Sequence, residues 1–138
     1  MDQGSVTWIV TADSAEARVF CERARSGPLR EIPELHMAAT DEEQTAGHRH
    51  HGDPRAPQHE PERRFLRRVA NRVALEAGKG EFERLVLMGP PRALGYLKLA
   101  LPPELVARID VTDSHERRQD DPDSLRRHLR EARARSWS

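Results

Sequence analysis

The run Leu85-Val86-Leu87-Met88 restricts the fold more than any other segment of this chain. A strand with one wet face alternates apolar and polar residues, whereas a run apolar on both faces needs cover on two sides. The segment 82–88 is therefore expected to be a central strand, placed beside the apolar, β-branched run Val6–Val10. Gly89-Pro90-Pro91 then turns the chain into a helix carrying Leu94, Leu97 and Leu101.

The N-terminal part reads as an antiparallel meander. Ala12-Asp13-Ser14-Ala15 has turn chemistry, because Asp and Ser side chains bond nearby backbone amides. Residues 15–21 then alternate, with Ala17, Val19 and Cys21 on one face and Glu16, Arg18 and Phe20 on the other. Leu29–Leu35 is expected to be a third strand, at an edge or cut short, since Pro33 cannot donate to a ladder. Residues 37–58 lack apolar periodicity and read as a long, mobile loop.

His59–Ala77 is the clearest helix, with Glu60 and Glu62 in its first turn and a stripe of Leu66, Val69, Ala70 and Val73. Gly78-Lys79-Gly80 ends it. A short turn at 104–107, a strand at 109–112 and a final helix opened by Asp121-Pro122 complete the chain. The order βββ-α-β-α-β-α predicts an α/β fold in one domain over residues 1–138, a mixed sheet flanked by helices.

Net charge is zero, with 23 basic and 23 acidic residues, which argues against a general polyanion binder. The single cysteine, Cys21, leaves no intrachain disulfide and fits a reducing compartment. The chain lacks a signal-like start or an apolar run of membrane-spanning length. A cytoplasmic protein without membrane contact is expected.

Several segments taken together resemble the bacterial host-attachment protein family. They are Trp8-Ile9-Val10-Thr11-Ala12-Asp13-Ser14, Ala17-Arg18-Val19-Phe20, the histidine-bearing loop, Glu60-Pro61-Glu62-Arg63-Arg64-Phe65, and Leu85-Val86-Leu87 followed by Pro91-Arg92-Ala93-Leu94-Gly95. The resemblance covers the first four-fifths of the chain and loosens after Ile109. That family is similar in fold to the middle domain of eukaryotic and archaeal peptide-chain release factors. The resemblance implies contact with ribosome or tRNA. It also implies a loop, here 41–58, at the place where release factors carry a Gly-Gly-Gln tip. This loop has no such tripeptide; its nearest fragment is Gln44-Thr45-Ala46-Gly47. Release-type hydrolysis is therefore not expected.

Three constellations carry chemistry. His48, His50 and His51, with His59, are dense enough to suggest a transition metal, but the absence of cysteine and of helical spacing makes a solvated polar loop, with RNA-contacting side chains, the preferred reading. Asp13, Gly89 with Arg92, and Asp113 should lie near strand ends, where α/β sheets bind ligands. There Asp13 could pair with Arg92, or Asp13 and Asp113 could hold a divalent cation for hydrolase or nuclease chemistry. The plainer reading has Asp13 closing its hairpin and Arg92 bridging to the next helix. Arg64, Arg68 and Arg72, and likewise Arg126, Arg130 and Arg133, form ridges that could touch phosphate. Most such faces are merely solvated, and no aromatic platform accompanies them.

The resemblance, taken with these residues, implies a non-catalytic, RNA-binding module of the translation apparatus. Its contacts would be His48, Arg49, His50 and His51 in the loop and the ridge at Arg64, Arg68 and Arg72. No cofactor is expected, and a homo-oligomer is compatible with the sequence. The rivals are the Asp13/Asp113 metal-dependent hydrolase and a surface-attachment protein.

Overall fold

The computed structural model describes residues 5–24, 27–44, 59–117 and 119–137. Strands β1 (Thr7–Ala12), β2 (Glu16–Glu22), β3 (Arg30–Glu31), β4 (Met37–Ala38), β5 (Arg84–Met88) and β6 (Ile109–Asp113) form one mixed sheet. Its order is β3-β2-β1-β5-β6, with β4 also on β2. β1 pairs antiparallel with β2 and parallel with β5, and β5 pairs parallel with β6. The doubly apolar segment therefore lies inside the sheet next to β1, as its sequence demands. Leu85 and Leu87 face one core, and Val86 and Met88 face the other.

Helices cover both faces. α2 (Glu60–Gly78) and α3 (Pro91–Ala100) lie on the side of Trp8, Val10, Val19, Leu85 and Leu87. The stripe expected from the sequence, Leu66, Val69, Ala70 and Val73, is buried there together with Phe65. α2 ends where Gly80, at φ 77°, takes the left-handed conformation that favours glycine. The four-residue α4 (Pro103–Val106) leads into β6.

The third strand is cut as Pro33 required. β3 pairs with Phe20 and Cys21, and Pro33–Leu35 then forms a 3-10 turn. β4 rejoins β2 opposite Glu16 and Ala17. The long-loop reading of residues 37–58 is corrected at its start. Residues 37–38 belong to β4, and Asp41–Gln44 form a short helix, α1. Thr40 and Glu43 cap it reciprocally: the Thr40 amide donates to Glu43 Oε1 at 2.8 Å and the Glu43 amide to Thr40 Oγ1 at 3.2 Å. The remainder of that loop, with Gly47, Gly52, His48, Arg49, His50 and His51, lies outside the described residues.

On the opposite face lies α5 (Pro122–Trp137), whose start is capped by Asp121 accepting the Ser124 amide at 2.8 Å. Leu125, Leu129 and Ala132 pack against Ile9, Phe20, Val86, Met88 and Val111. The second arginine ridge is corrected here, because two of its members turn inward. Arg133 donates to both oxygens of buried Glu22, at 2.8 and 2.7 Å, and Arg126 reaches the same carboxylate at 2.7 Å. Arg133 also meets Asp110 at 3.3 Å. Only Arg130 of the three is exposed.

Burial pushes the Glu22 carboxyl up, but the hydrogen bonds and charges of Arg133 and Arg126 outweigh it and leave it below the ordinary carboxylate range. Glu22 thus binds its proton more weakly in the folded chain than in the unfolded one. Its contribution to stability is full above the unfolded value near ~4.3 and is lost as pH falls through the lower folded value. Glu22→Gln strands two guanidinium groups and is expected to cost about 3–5 kcal/mol. Urea denaturation between neutral pH and pH 3 should show this loss, together with a flatter acid dependence in the variant.

At the C-terminal ends of β1 and β5 the backbones approach closely. A Cβ at Gly89 would overlap the carbonyl oxygen of Ala12. Gly89→Ala must push the two central strands apart and is expected to destabilise by at least about 1–3 kcal/mol, read as a lower urea midpoint.

Candidate functional site

The parallel strands β1, β5 and β6 end at one edge of the sheet, where Asp13, Gly89 and Asp113 emerge. Asp13 closes the β1–β2 hairpin: its Oδ1 accepts the amides of Ala15 at 2.8 Å and Glu16 at 2.9 Å. This Asx turn follows from a short carboxylate placed two residues before the returning strand. Gly89 does not offer its amide to an anion, since it donates to the Asp113 carbonyl at 3.0 Å. Thr11 and Asp113 are the register neighbours of Met88 on its two sides. They therefore stand two strand spacings apart, about 9–10 Å, and Asp13 follows the end of β1. Asp13 is thus engaged as the plainer reading had it, by the amides of its own hairpin. No group of three or more His, Cys, Asp and Glu side chains among the described residues is arranged to hold a metal ion.

Asp113 organises a different cluster. Its buried carboxylate accepts His115 Nδ1 at 2.5 Å and Arg117 Nε at 3.0 Å. Burial raises its pKa, but His115 and Arg117 overcome this and hold it below the ordinary range. Arg117 Nη1 lies 3.2 Å from His128 Nε2, and His128 Nδ1 lies 2.6 Å from Asp120 Oδ2. A guanidinium can only donate, so Nε2 accepts and the Nδ1 proton goes to Asp120. Arg18 donates to the Asp120 carbonyl at 2.9 Å while forming a fork with Glu31. These contacts fasten the connection between β6 and α5 to the sheet. Only His115 presents much of its ring to solvent, 62% of the side chain.

The α2 ridge is less cationic than its spacing suggests. Arg68 forks onto Glu43 at 2.8 and 3.2 Å and also donates to the Ala38 carbonyl. The hydrogen bond from Arg68 holds the Glu43 carboxyl low against the opposing effect of burial. Arg72 pairs with Glu76 at 3.1 Å. Arg64 and its neighbour Arg67 are exposed and form no ion pair among the described residues. Arg92 at the start of α3 does not bridge to the hairpin; its Nε donates to buried Glu62 at 3.0 Å and ties α3 to α2.

His59 precedes α2 and is fully buried, with no hydrogen-bond partner on either ring nitrogen. Its Nδ1 lies 4.0 Å from Glu62 Oε1. The contact candidates His48, Arg49, His50 and His51 lie outside the described residues.

Glu22, Glu43, His115, Arg117, Asp120 and His128 escaped the sequence reading. Thr40-x-x-Glu43 carried a usable signal, the spacing of a capping box. Glu22 meets its partner Arg133 from 111 residues away, and His115, Arg117, Asp120 and His128 meet theirs around an irregular connection that follows no helix or strand period. No helix among the described residues is long and apolar enough to cross a membrane.

Among solved structures, the chain is similar to one titled an archaeal protein, at 13% identity and a TM-score of 0.59, over 92% of this chain and 33% of that one. It is also similar to an archaeal translation termination factor, aRF1, at 10% identity and a TM-score of 0.53, over 96% of this chain and 40% of that one. The chain thus spans about a third to two-fifths of these longer proteins, and at such identities the likeness is one of fold. No curated protein matches the chain. The family described as proteins required for attachment to host cells matches residues 8–129, and the chain belongs to that family.

Proposed function

We propose that the chain is a non-catalytic binding module that meets phosphate of the ribosome or of tRNA through the outer side of α2. The observation that carries this reading is the pair Arg64 and Arg67, exposed and without an ion pair among the described residues. They lie on the helix that follows the histidine-rich run His48-Arg49-His50-His51 in sequence. Arginine at such positions offers a planar fork suited to phosphate. Likeness in fold to a translation termination factor supports the same choice of partner. The strand-end carboxylates favour binding over hydrolysis, because both are engaged by the protein's own amides and cations. The Gly-Gly-Gln tripeptide of release is absent from the sequence.

A second reading follows the family description, attachment to host cells. A strain lacking the gene should then attach poorly while its polysomes remain normal.

The phosphate reading is tested by co-sedimentation with ribosomes and by filter binding to tRNA across a salt series. Reversing Arg64 and Arg67 to Glu should weaken binding and lower the salt slope by about 1–2. Glu43→Gln releases Arg68 and should strengthen binding and steepen the slope. Equal binding by all three proteins would remove α2 as the contact surface.

A further inference from the structure

A groove of about 830 Å³ opens beside the β2–β3 edge, on the α2 side of the sheet. Its floor follows from register. Trp8 pairs with Cys21 on β1 and β2, and Cys21 pairs with Arg30 on β2 and β3. Directly opposed residues share a face, so indole, thiol and guanidinium stand in one row across three strands. Trp8 is held in place by stacking on Phe82, with ring centroids 4.6 Å apart. Ile32 and Leu35, from the turn that Pro33 forces, supply an apolar wall. Arg23, two residues beyond Cys21, closes the same end.

The charges around this row are unequal. Arg23 and Arg30 are exposed and form no ion pair among the described residues. Two of the groove's carboxylates are spent, Glu31 on Arg18 and Glu76 on Arg72 and Lys79. Glu34 and Glu81 also line the groove, exposed and outside any ion pair among the described residues, but neither is among the charges that act on the Cys21 thiol. The Cys21 thiol, pushed up by burial, feels Arg23 and Arg30 as the charges drawing it down. The one carboxylate that opposes them there, Glu22, is matched on the far face by Arg126 and Arg133. The Cys21 end of the groove is therefore electropositive above an apolar floor. Its volume falls in the range of small-molecule sites, about 300–1,000 Å³.

We propose that this groove binds a small carboxylate with an apolar body, the carboxylate taken by Arg23 and Arg30 and the body laid over Cys21 and Trp8 against Ile32 and Leu35. Two guanidinium forks can hold both carboxylate oxygens, and the apolar body is left to the indole, the thiol and the Ile32–Leu35 wall. The site is separate from the outer face of α2 and does not depend on phosphate binding there.

Trp8 is the built-in reporter. The full chain carrying Trp137→Phe retains Trp8 as its one tryptophan. Titration with laurate below its micellar concentration should change Trp8 emission saturably, and calorimetry should return the same constant. Arg23→Gln with Arg30→Gln, both at exposed positions, should weaken laurate about tenfold or more, the scale of losing charge-assisted hydrogen bonds. Ile32→Phe narrows the groove without touching either arginine and should weaken laurate as well. Dodecyltrimethylammonium, with the same chain and opposite charge, should not saturate the site. Absence of a saturable laurate response, unchanged affinity in either variant, or equal affinity for the cationic chain would overturn the proposal.

Discussion

A strand that is apolar on both faces cannot lie at an edge or beneath a single layer of helices without exposing half its side chains. β5 imposes that condition on the whole chain. α2 and α3 cover Leu85 and Leu87, and α5 must supply a second cover for Val86 and Met88. α5 brings a narrow stripe of Leu125, Leu129 and Ala132. Arg126 and Arg133 follow Leu125 and Ala132 by one residue, at the margin of the stripe. Their long side chains reach inward from there to Glu22. The final helix is thus located by apolar contact along its centre and by a buried charge cluster at its margin. Removing only one charge of that cluster is costly, because the others remain buried.

The same logic explains how the chain uses its arginines. The sequence holds only two lysines among its 23 basic residues. Many of its arginines are structural cross-links: Arg18 to Glu31, Arg68 to Glu43, Arg92 to Glu62, Arg117 to Asp113 and Arg133 to Glu22. Arg92 ties α3 to α2, Arg68 ties α2 to α1, and Arg133 ties α5 to β2. The arginines left outside any ion pair among the described residues, such as Arg64 and Arg67 on α2, are far fewer than the composition suggests.

Elements with a strong local pattern are legible in the sequence. The alternation of Ala17, Val19 and Cys21 against Arg18 and Phe20, the double apolarity of 85–88 and the interruption at Pro33 all follow from single-strand geometry. The stripe of α2 was equally clear. The candidate site was legible only in part. Asp13 does close its turn, but the roles of Asp113 and Arg92 depend on partners that no spacing rule could supply. Glu22 and Arg133 are separated by 111 residues. Reading Arg126, Arg130 and Arg133 as one outward ridge failed because helical spacing gives the angle between residues and not the direction of the core. The box at Thr40 and Glu43 was hidden by the polar run that follows it.

The pairing of Glu43 with Arg68 also decides how α1 is held. A helix of four residues does not persist by itself, because its few hydrogen bonds do not offset the cost of nucleation. One carboxylate supplies what is missing: Glu43 accepts the Thr40 amide at the start of α1 and the Arg68 guanidinium from α2. α1 is therefore a dependant of α2, and a change that displaces Arg68 removes the fork that holds it.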